Sequence, residues 1–230
     1  MSAGKLYVVG TPIGNLEDIT LRALKILRNV DLILAEDTRR ALKLLNHYRI
    51  SKPLDSFHEH SSEKKVNKIL SKLLEGKHIA LISDAGMPVI SDPGSSLVKK
   101  CRENNIEVDI IPGPSAVLTA IAASGFNGSK FTFIGFIPRD KKRRRLLRQF
   151  KDYHGLLIFF ENPERLQKTF KDILSILGNV EIFIAREMTK KHQEFFYGNI
   201  ENAINHFKNN IKGEITVILN LSNNSNTQSQ

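Results

Sequence analysis

Ile79-Ala80-Leu81-Ile82-Ser83-Asp84-Ala85-Gly86-Met87-Pro88-Val89-Ile90-Ser91-Asp92-Pro93-Gly94 is an apolar run that breaks into a loop. Four consecutive apolar residues read as a strand buried on both faces. The two Gly, two Pro and two Asp that follow end the strand, and a helical pattern begins at Ser95. The same transition occurs twice more. Leu6-Tyr7-Val8-Val9 leads into Gly10-Thr11-Pro12-Ile13-Gly14-Asn15, and Ile110-Ile111 leads into Pro112-Gly113-Pro114-Ser115-Ala116. Ligands of α/β sheets sit outside the carboxyl ends of the strands. Three such loops therefore predict a binding site along one rim of a parallel sheet.

Working outward, the first half alternates strands with amphipathic helices. Strands are expected at 5–9, 31–35, 78–83 and 107–111, and helices at 20–29, 39–47, 63–75, 95–104 and 115–123. Leu21, Leu24, Ile26 and Leu27 form one apolar stripe, and Val66, Ile69, Leu70, Leu73 and Leu74 another. Strand–helix alternation with short loops predicts an α/β domain, a mostly parallel sheet with helices on both faces. The pattern changes after the turn-rich Gly125-Phe126-Asn127-Gly128-Ser129. Strands at 131–137, 155–160, 180–186, 194–197 and 213–221 then dominate, separated in part by helices at 143–150, 163–177 and 200–209. The expected division is an N-terminal α/β domain over 1–127 and a smaller mixed-sheet α/β domain over 128–221. The Ser/Asn/Thr/Gln tail at 222–230 is expected to be disordered.

At 230 residues, 41% hydrophobic and 25% charged, the chain has an ordinary globular balance. The single cysteine, Cys101, excludes an internal disulfide and a Cys-rich zinc site, and its helical setting makes it inert. His58 and His60 flank Glu59, but no third ligand is suitably spaced, so no metal is expected. No signal pattern opens the chain and no apolar run is long enough to span a bilayer, so a cytoplasmic protein is expected. The formal charge of +10 favours an anionic partner. Arg139, Lys141, Lys142, Arg143, Arg144, Arg145, Arg148 and Lys151 face one acid, Asp140, within thirteen residues. Five consecutive cations repel one another unless an anion lies between them, so this run is expected to contact phosphates rather than to be a merely solvated helix face. Phe131, Phe133 and Phe136 resemble an aromatic RNA platform only loosely, and their uneven spacing and apolar neighbours favour a core strand.

Gly10–Asn15 is not a dinucleotide fingerprint, because Pro12 breaks the spacing and Glu17 and Asp18 repel a pyrophosphate. A Walker loop is absent as well. Instead, Gly10-Thr11-Pro12-Ile13-Gly14-Asn15-Leu16, Ala35-Glu36-Asp37-Thr38-Arg39, the 83–94 loop and Pro112-Gly113-Pro114-Ser115-Ala116 occur in one order and spacing. With Phe159-Phe160-Glu161-Asn162-Pro163-Glu164, Ala185-Arg186-Glu187-Met188-Thr189-Lys190 and Gly213-Glu214-Ile215-Thr216-Val217, the chain from about residue 5 to 221 resembles the tetrapyrrole methylase superfamily. Within it, the resemblance is to the ribosomal RNA small-subunit methyltransferase I branch. The tetrapyrrole-acting relatives carry Gly-Asp-Pro where this chain has Gly86-Met87-Pro88, a departure that matches the RNA branch.

The resemblance implies two α/β domains with S-adenosylmethionine in a cleft between them and a cytidine ribose 2′-hydroxyl of bacterial 16S rRNA, within the small ribosomal subunit, as acceptor. It also implies a homodimer. By motif position the cofactor is expected to touch Pro12, Ala85, Gly86, Met87, Ile90, Ser115, Ala116, Phe160 and Met188. RNA is expected on Arg139, Lys141, Lys142, Arg143, Arg144 and Arg145. Methyl transfer to a hydroxyl is an in-line displacement in which positioning supplies roughly 7–11 kcal/mol. A general base adds about 10²–10⁴-fold. Asp37 is the expected base or hydroxyl acceptor, with Glu36 and Arg39 beside it. The competing structural reading is that Glu36 or Asp37 merely caps the helix near Thr38, and Glu187, Lys190 and His58 are rivals. Two other functions stay open. A tetrapyrrole C-methyltransferase would turn over a porphyrinoid without salt-sensitive RNA binding. A non-catalytic RNA-binding assembly protein would bind RNA regardless of S-adenosylmethionine.

Overall fold

Short all-apolar strands cannot stand at an edge, and the computed structural model, which describes residues 3–59, 61–209 and 211–222, buries them centrally. The chain forms two units, Met1–Ser115 and Ala116–Gln230. In the first, β1 (Leu6–Val9), β2 (Leu32–Ala35), β3 (Leu54–Ser56), β4 (Ile79–Ile82) and β5 (Val108–Ile111) lie in the order β3-β2-β4-β1-β5. Every pairing is parallel. The connections are α1 (Leu21–Asn29), α2 (Thr38–His47), α3 (Glu63–Leu74) and α4 (Ser95–Glu103). Thr20 caps α1 and Ser62 caps α3, each accepting a backbone N–H three residues on.

Alternate residues of β4 feed opposite faces. Ala80 and Ile82 pack with Ala23, Leu24 and Leu27 of α1 and Ala41, Leu44 and Leu45 of α2. Ile79 and Leu81 pack with Ile69 and Leu73 of α3 and Leu97 and Cys101 of α4. The chain therefore steps outward along one face through α1 and α2 and returns along the other through α3 and α4. β4 lies between β1 and β2, whose own connections leave on the opposite face. That makes β4 the switch point of the sheet, where a crevice opens at the strand ends.

The second unit begins with α5 (Ala116–Ser124), followed by β6 (Phe131–Phe136), α6 (Asp140–Arg148) and β7 (Leu156–Glu161). A 3-10 turn at Pro163–Arg165 runs into α7 (Leu166–Leu177). Then come β8 (Glu181–Arg186), β9 (Glu194–Asn199), α8 (Ile200–His206) and β10 (Ile215–Asn220). The sheet order is β6-β7-β10-β8-β9, parallel between β6 and β7 and antiparallel elsewhere. Leu147, Phe170, Ile173 and Ala203 of α6, α7 and α8, with Phe207 just past α8, cover one face, on Leu157, Phe159, Ile182, Ile184, Val217 and Leu219. α5 contacts β8 and β10.

Three expectations change and one strand is new. The second sheet is not the smaller one, since it also has five strands and all of them are longer. The division falls after Ser115 rather than at 127/128, because the apolar α5 packs on β8 and β10 and so belongs to the second unit. β3 lacks an apolar run, being a half-buried edge strand of three residues, and has no counterpart in the sequence pattern. β6 is an edge strand rather than a core strand, and leaves Phe136 63% and Phe131 40% exposed. Apart from Ser222, the tail expected to be disordered lies outside the described residues. Among the described residues no helix is long and apolar enough to cross a membrane.

Candidate functional site

The loops after β1, β4 and β5 meet at the switch point. Thr11 and Gly86 exchange backbone hydrogen bonds of 2.9 and 3.1 Å, tying the first loop to the central one. The buried Thr11 hydroxyl donates to the carbonyls of Ser83 and Gly86, and the Ser83 hydroxyl to those of Ala85 and Gly86. Gly10 N–H donates to Ile111 O at 3.0 Å. Gly10 and Gly113 approach so closely that a Cβ on either would lie within 3 Å of the other's backbone, so neither position admits a side chain. Met87 Sδ closes over Gly10 from the central loop. Pro12 is buried here, Ala85, Met87 and Ser115 are half-buried, and Ile90 is 56% exposed.

Between Gly86 and Gly94 the backbone is held in unusual conformations. Val89 has φ 75° and Ser91 φ 63°, besides the two glycines. A β-branched residue with positive φ is strained, and such strain persists where surrounding contacts enforce it, often at functional sites. The loop thus presents backbone rather than long side chains at the sheet rim. That suits a ligand recognised by N–H and C=O groups, and a Gly-lined convergence of this kind fits S-adenosylmethionine.

The acids beside these loops have separate roles. Asp37 caps α2, accepting Arg39 N–H at 2.8 Å and the Arg39 guanidinium at 2.9 and 3.1 Å. The Arg39 side-chain hydrogen bond is the main reason its carboxyl falls to about 2. A carboxylate so tied is a weak base; the cap that competes with the expected catalytic role is present, and Arg39 is its ion-pair partner. Glu36 differs. Burial first, then the Asp84 charge, raise its pKa, against the pull of His58 and Arg40.

Asp84 and Asp92 are site residues that the sequence reading misses, although two Asp in a Gly/Pro loop after a buried strand are signal enough. Asp84 accepts the Asp37 N–H at 3.0 Å and pairs with Arg40 at 3.4 Å, joining the β2 loop to the central loop. Asp92 rises to about 6, chiefly through burial and then through the Glu36 charge, with a Ser83 hydrogen bond opposing. Glu36, Asp84 and Asp92 thus form one electrostatically coupled group at the switch point. His58 is exposed nearby, and His60 lies outside the described residues. Cys101 is buried under α4, which pushes its thiol up to about 11.

Ala116, Phe160 and Met188 belong to the second unit. Ala116 opens α5, Phe160 is half-buried on β7, and Met188 is buried between two positive-φ residues, Glu187 and Thr189. Glu187 accepts from Lys190 Nζ and Glu214 N–H, and Lys190 also pairs with Glu214. Burial raises the Glu187 carboxyl, but these hydrogen bonds outweigh it and leave its pKa lowered, so both rivals are tied into a loop clamp. On α6 the cationic run splits. Arg139, Lys141, Lys142, Arg144 and Arg145 are exposed, as is Arg148. Arg143 is not: it is 1% exposed, and its guanidinium donates to Asp172 at 2.5 and 2.8 Å. The expectation that Arg143 meets RNA is therefore wrong, since the helical period points it, with Leu147, into the core.

A family model described as tetrapyrrole (corrin/porphyrin) methylases matches residues 5–204. A Thermotoga maritima protein named ribosomal RNA small subunit methyltransferase I is 64% identical over 217 residues, which is 94% of this chain and 98% of that protein. A Bacillus subtilis protein of the same name is 46% identical over 96% of this chain and 76% of its own length. Among solved structures, a diphthine synthase matches with a TM-score of 0.74 at 12% identity, over 94% of this chain and 90% of that one. A Thermus thermophilus uroporphyrin-III C-methyltransferase, complexed with S-adenosyl homocysteine, matches with a TM-score of 0.65 at 16% identity, over 94% and 97%. These structures share the fold. With the Gly/Pro loops joined at the β4 switch point and the family model spanning both units, the chain belongs to the tetrapyrrole methylase family and, within it, to the ribosomal RNA small subunit methyltransferase I family.

Proposed function

We propose that this protein transfers a methyl group from S-adenosylmethionine to the ribose 2′-hydroxyl of a cytidine in 16S rRNA, with the small ribosomal subunit as substrate. The observation that carries this reading is the joining of the β1, β4 and β5 loops at the switch point of a methylase-family sheet. The relatives' name supplies the substrate class. The exposed cations of α6 support a phosphate-rich acceptor. An rRNA acceptor also makes the reaction cytoplasmic.

Pro12, Ala85, Gly86, Met87, Ile90 and Ser115 are the residues of the first unit assigned to the methyl donor. Bound there, S-adenosylmethionine supplies an activated methyl on a sulfonium leaving group. The protein's own task is to orient the hydroxyl and take its proton. Glu36 is the better acceptor of that proton, because its raised pKa makes it more basic than Asp37. Asp37 and Arg39 position it by fixing the start of α2.

The test uses methyl-labelled S-adenosylmethionine with small subunits lacking native modifications, followed by digestion and location of the label. Label on a cytidine ribose supports the reading. Label on a base, or on a porphyrinoid offered in parallel, contradicts it.

A further inference from the structure

β6 exposes aromatic surface at the edge of the second sheet. Its register against β7 shifts between Phe133 and Phe136, and Gly135, with φ 66°, takes up the irregularity. Such bulges re-aim a side chain. Phe136 is left 63% exposed at the edge of the sheet. It is nonetheless braced. Phe160 lies edge-on to Phe136 with ring centroids 5.4 Å apart, and edge-on to Phe133 at 5.0 Å. Ile137, the next residue, is buried, and its N–H donates to Phe160 O at 3.0 Å. The ring is therefore braced on one side while most of it faces solvent, so binding to it costs less ordering than binding to an unsupported side chain.

Three residues on, Arg139 begins the cationic segment, so its Cα lies within about 11 Å of that of Phe136. Arg143 is buried on Asp172, Arg144 lies 3.9 Å from the same carboxylate, and Asp140 is paired with Lys168. Among the described residues no salt bridge reaches Arg139, Lys141, Lys142, Arg145 or Arg148. A flat apolar ring beside unpaired cations matches a strand that carries a flat base and a phosphate on each residue. A second copy of this chain, with its own excess of positive charge, would be repelled there.

We propose that Phe136 is a stacking platform for an unpaired base of the RNA strand whose phosphates lie along α6; this rests on the rRNA reading above. Stacking on an aromatic side chain tolerates any base, so Phe136 contributes affinity and holds the strand in register rather than reading its sequence.

The test measures binding of a labelled single-stranded RNA oligonucleotide to the full chain across a range of salt. Phe136→Leu is expected to weaken binding roughly 5- to 150-fold at every salt concentration. The slope of log affinity against log salt stays unchanged, because no phosphate contact is lost. Phe136→Trp is expected to retain binding. On a strand with abasic residues, wild type and Phe136→Leu are expected to bind alike. Affinity for S-adenosylmethionine and sedimentation behaviour are expected to match the wild type. Equal RNA affinity of Phe136→Leu and wild type overturns the proposal, as does a changed salt slope. A loss of S-adenosylmethionine binding or of self-association in Phe136→Leu overturns it by giving the ring another partner. If wild type binds neither the oligonucleotide nor small subunits, the rRNA reading itself falls, and the platform with it.

Discussion

Asp37 gives both carboxylate oxygens to Arg39 and has a pKa near 2, whereas its neighbour Glu36, half-buried beside Asp84, is pushed upward. Glu36→Gln is expected to lower kcat by about 10²–10⁴-fold, with calorimetric affinity for S-adenosylmethionine retained. Asp37→Ala is expected to lower the melting temperature and leave kcat within tenfold, since it removes a cap. A base must be deprotonated to act, so kcat should rise with pH through the raised Glu36 pKa and flatten above it, and Glu36→Gln should remove that rise. Asp92 acts on stability with a definite sign. Its folded-state pKa of about 6 exceeds the 3.8 of the free side chain, so the folded state holds the proton more tightly. Its favourable contribution is complete below about 4 and is lost as pH rises through 6. Asp92→Asn should therefore raise the melting temperature relative to wild type at pH 8 and match it at pH 4, as scanning calorimetry would read. These assignments were only half legible in the sequence. The Glu36-Asp37 pair and the Asp-bearing loop could be singled out, but which carboxylate is tied to Arg39 and which is buried depends on packing around β4.

α6 carries two kinds of cation on one helix. Arg143 lies four residues before Leu147 and shares its buried face, so a run that looks uniform along the sequence is divided by the 3.6-residue period. Removing one partner of a buried ion pair leaves the other charge uncompensated, and Arg143→Ala or Asp172→Ala is expected to cost about 3–5 kcal/mol in denaturant unfolding. Replacing both with apolar residues, as in Arg143→Met with Asp172→Leu, should restore much of that loss. Arg145→Ala should leave unfolding unchanged and weaken RNA binding. Elements with strong periodicity were readable, as in α1, α3 and the all-apolar β2 and β4. β3 was not, because an edge strand with three half-buried residues has no apolar run to reveal it. α5 was readable as a helix but not in its allegiance, since an almost wholly apolar sequence does not say which sheet it covers.

At the scale of the molecule, the sequence's change from strand–helix alternation to a strand-rich pattern does correspond to a parallel five-stranded unit followed by a mixed one. Charge divides the work as well, because most of the net positive charge can be traced to the segment around α6. If Arg139, Lys141, Lys142, Arg145 and Arg148 each meet a phosphate, log affinity for single-stranded RNA should fall against log salt with a slope of about −3.5. Each substitution to Gln should reduce that slope by about 0.7. The joined loops after β1, β4 and β5 are the proposed seat of the methyl donor. A crystal structure with S-adenosylhomocysteine tests this most directly. The ligand is expected against Pro12, the 85–90 segment and Ser115. Ordered ligand away from these loops, with the loops themselves unoccupied, would contradict it.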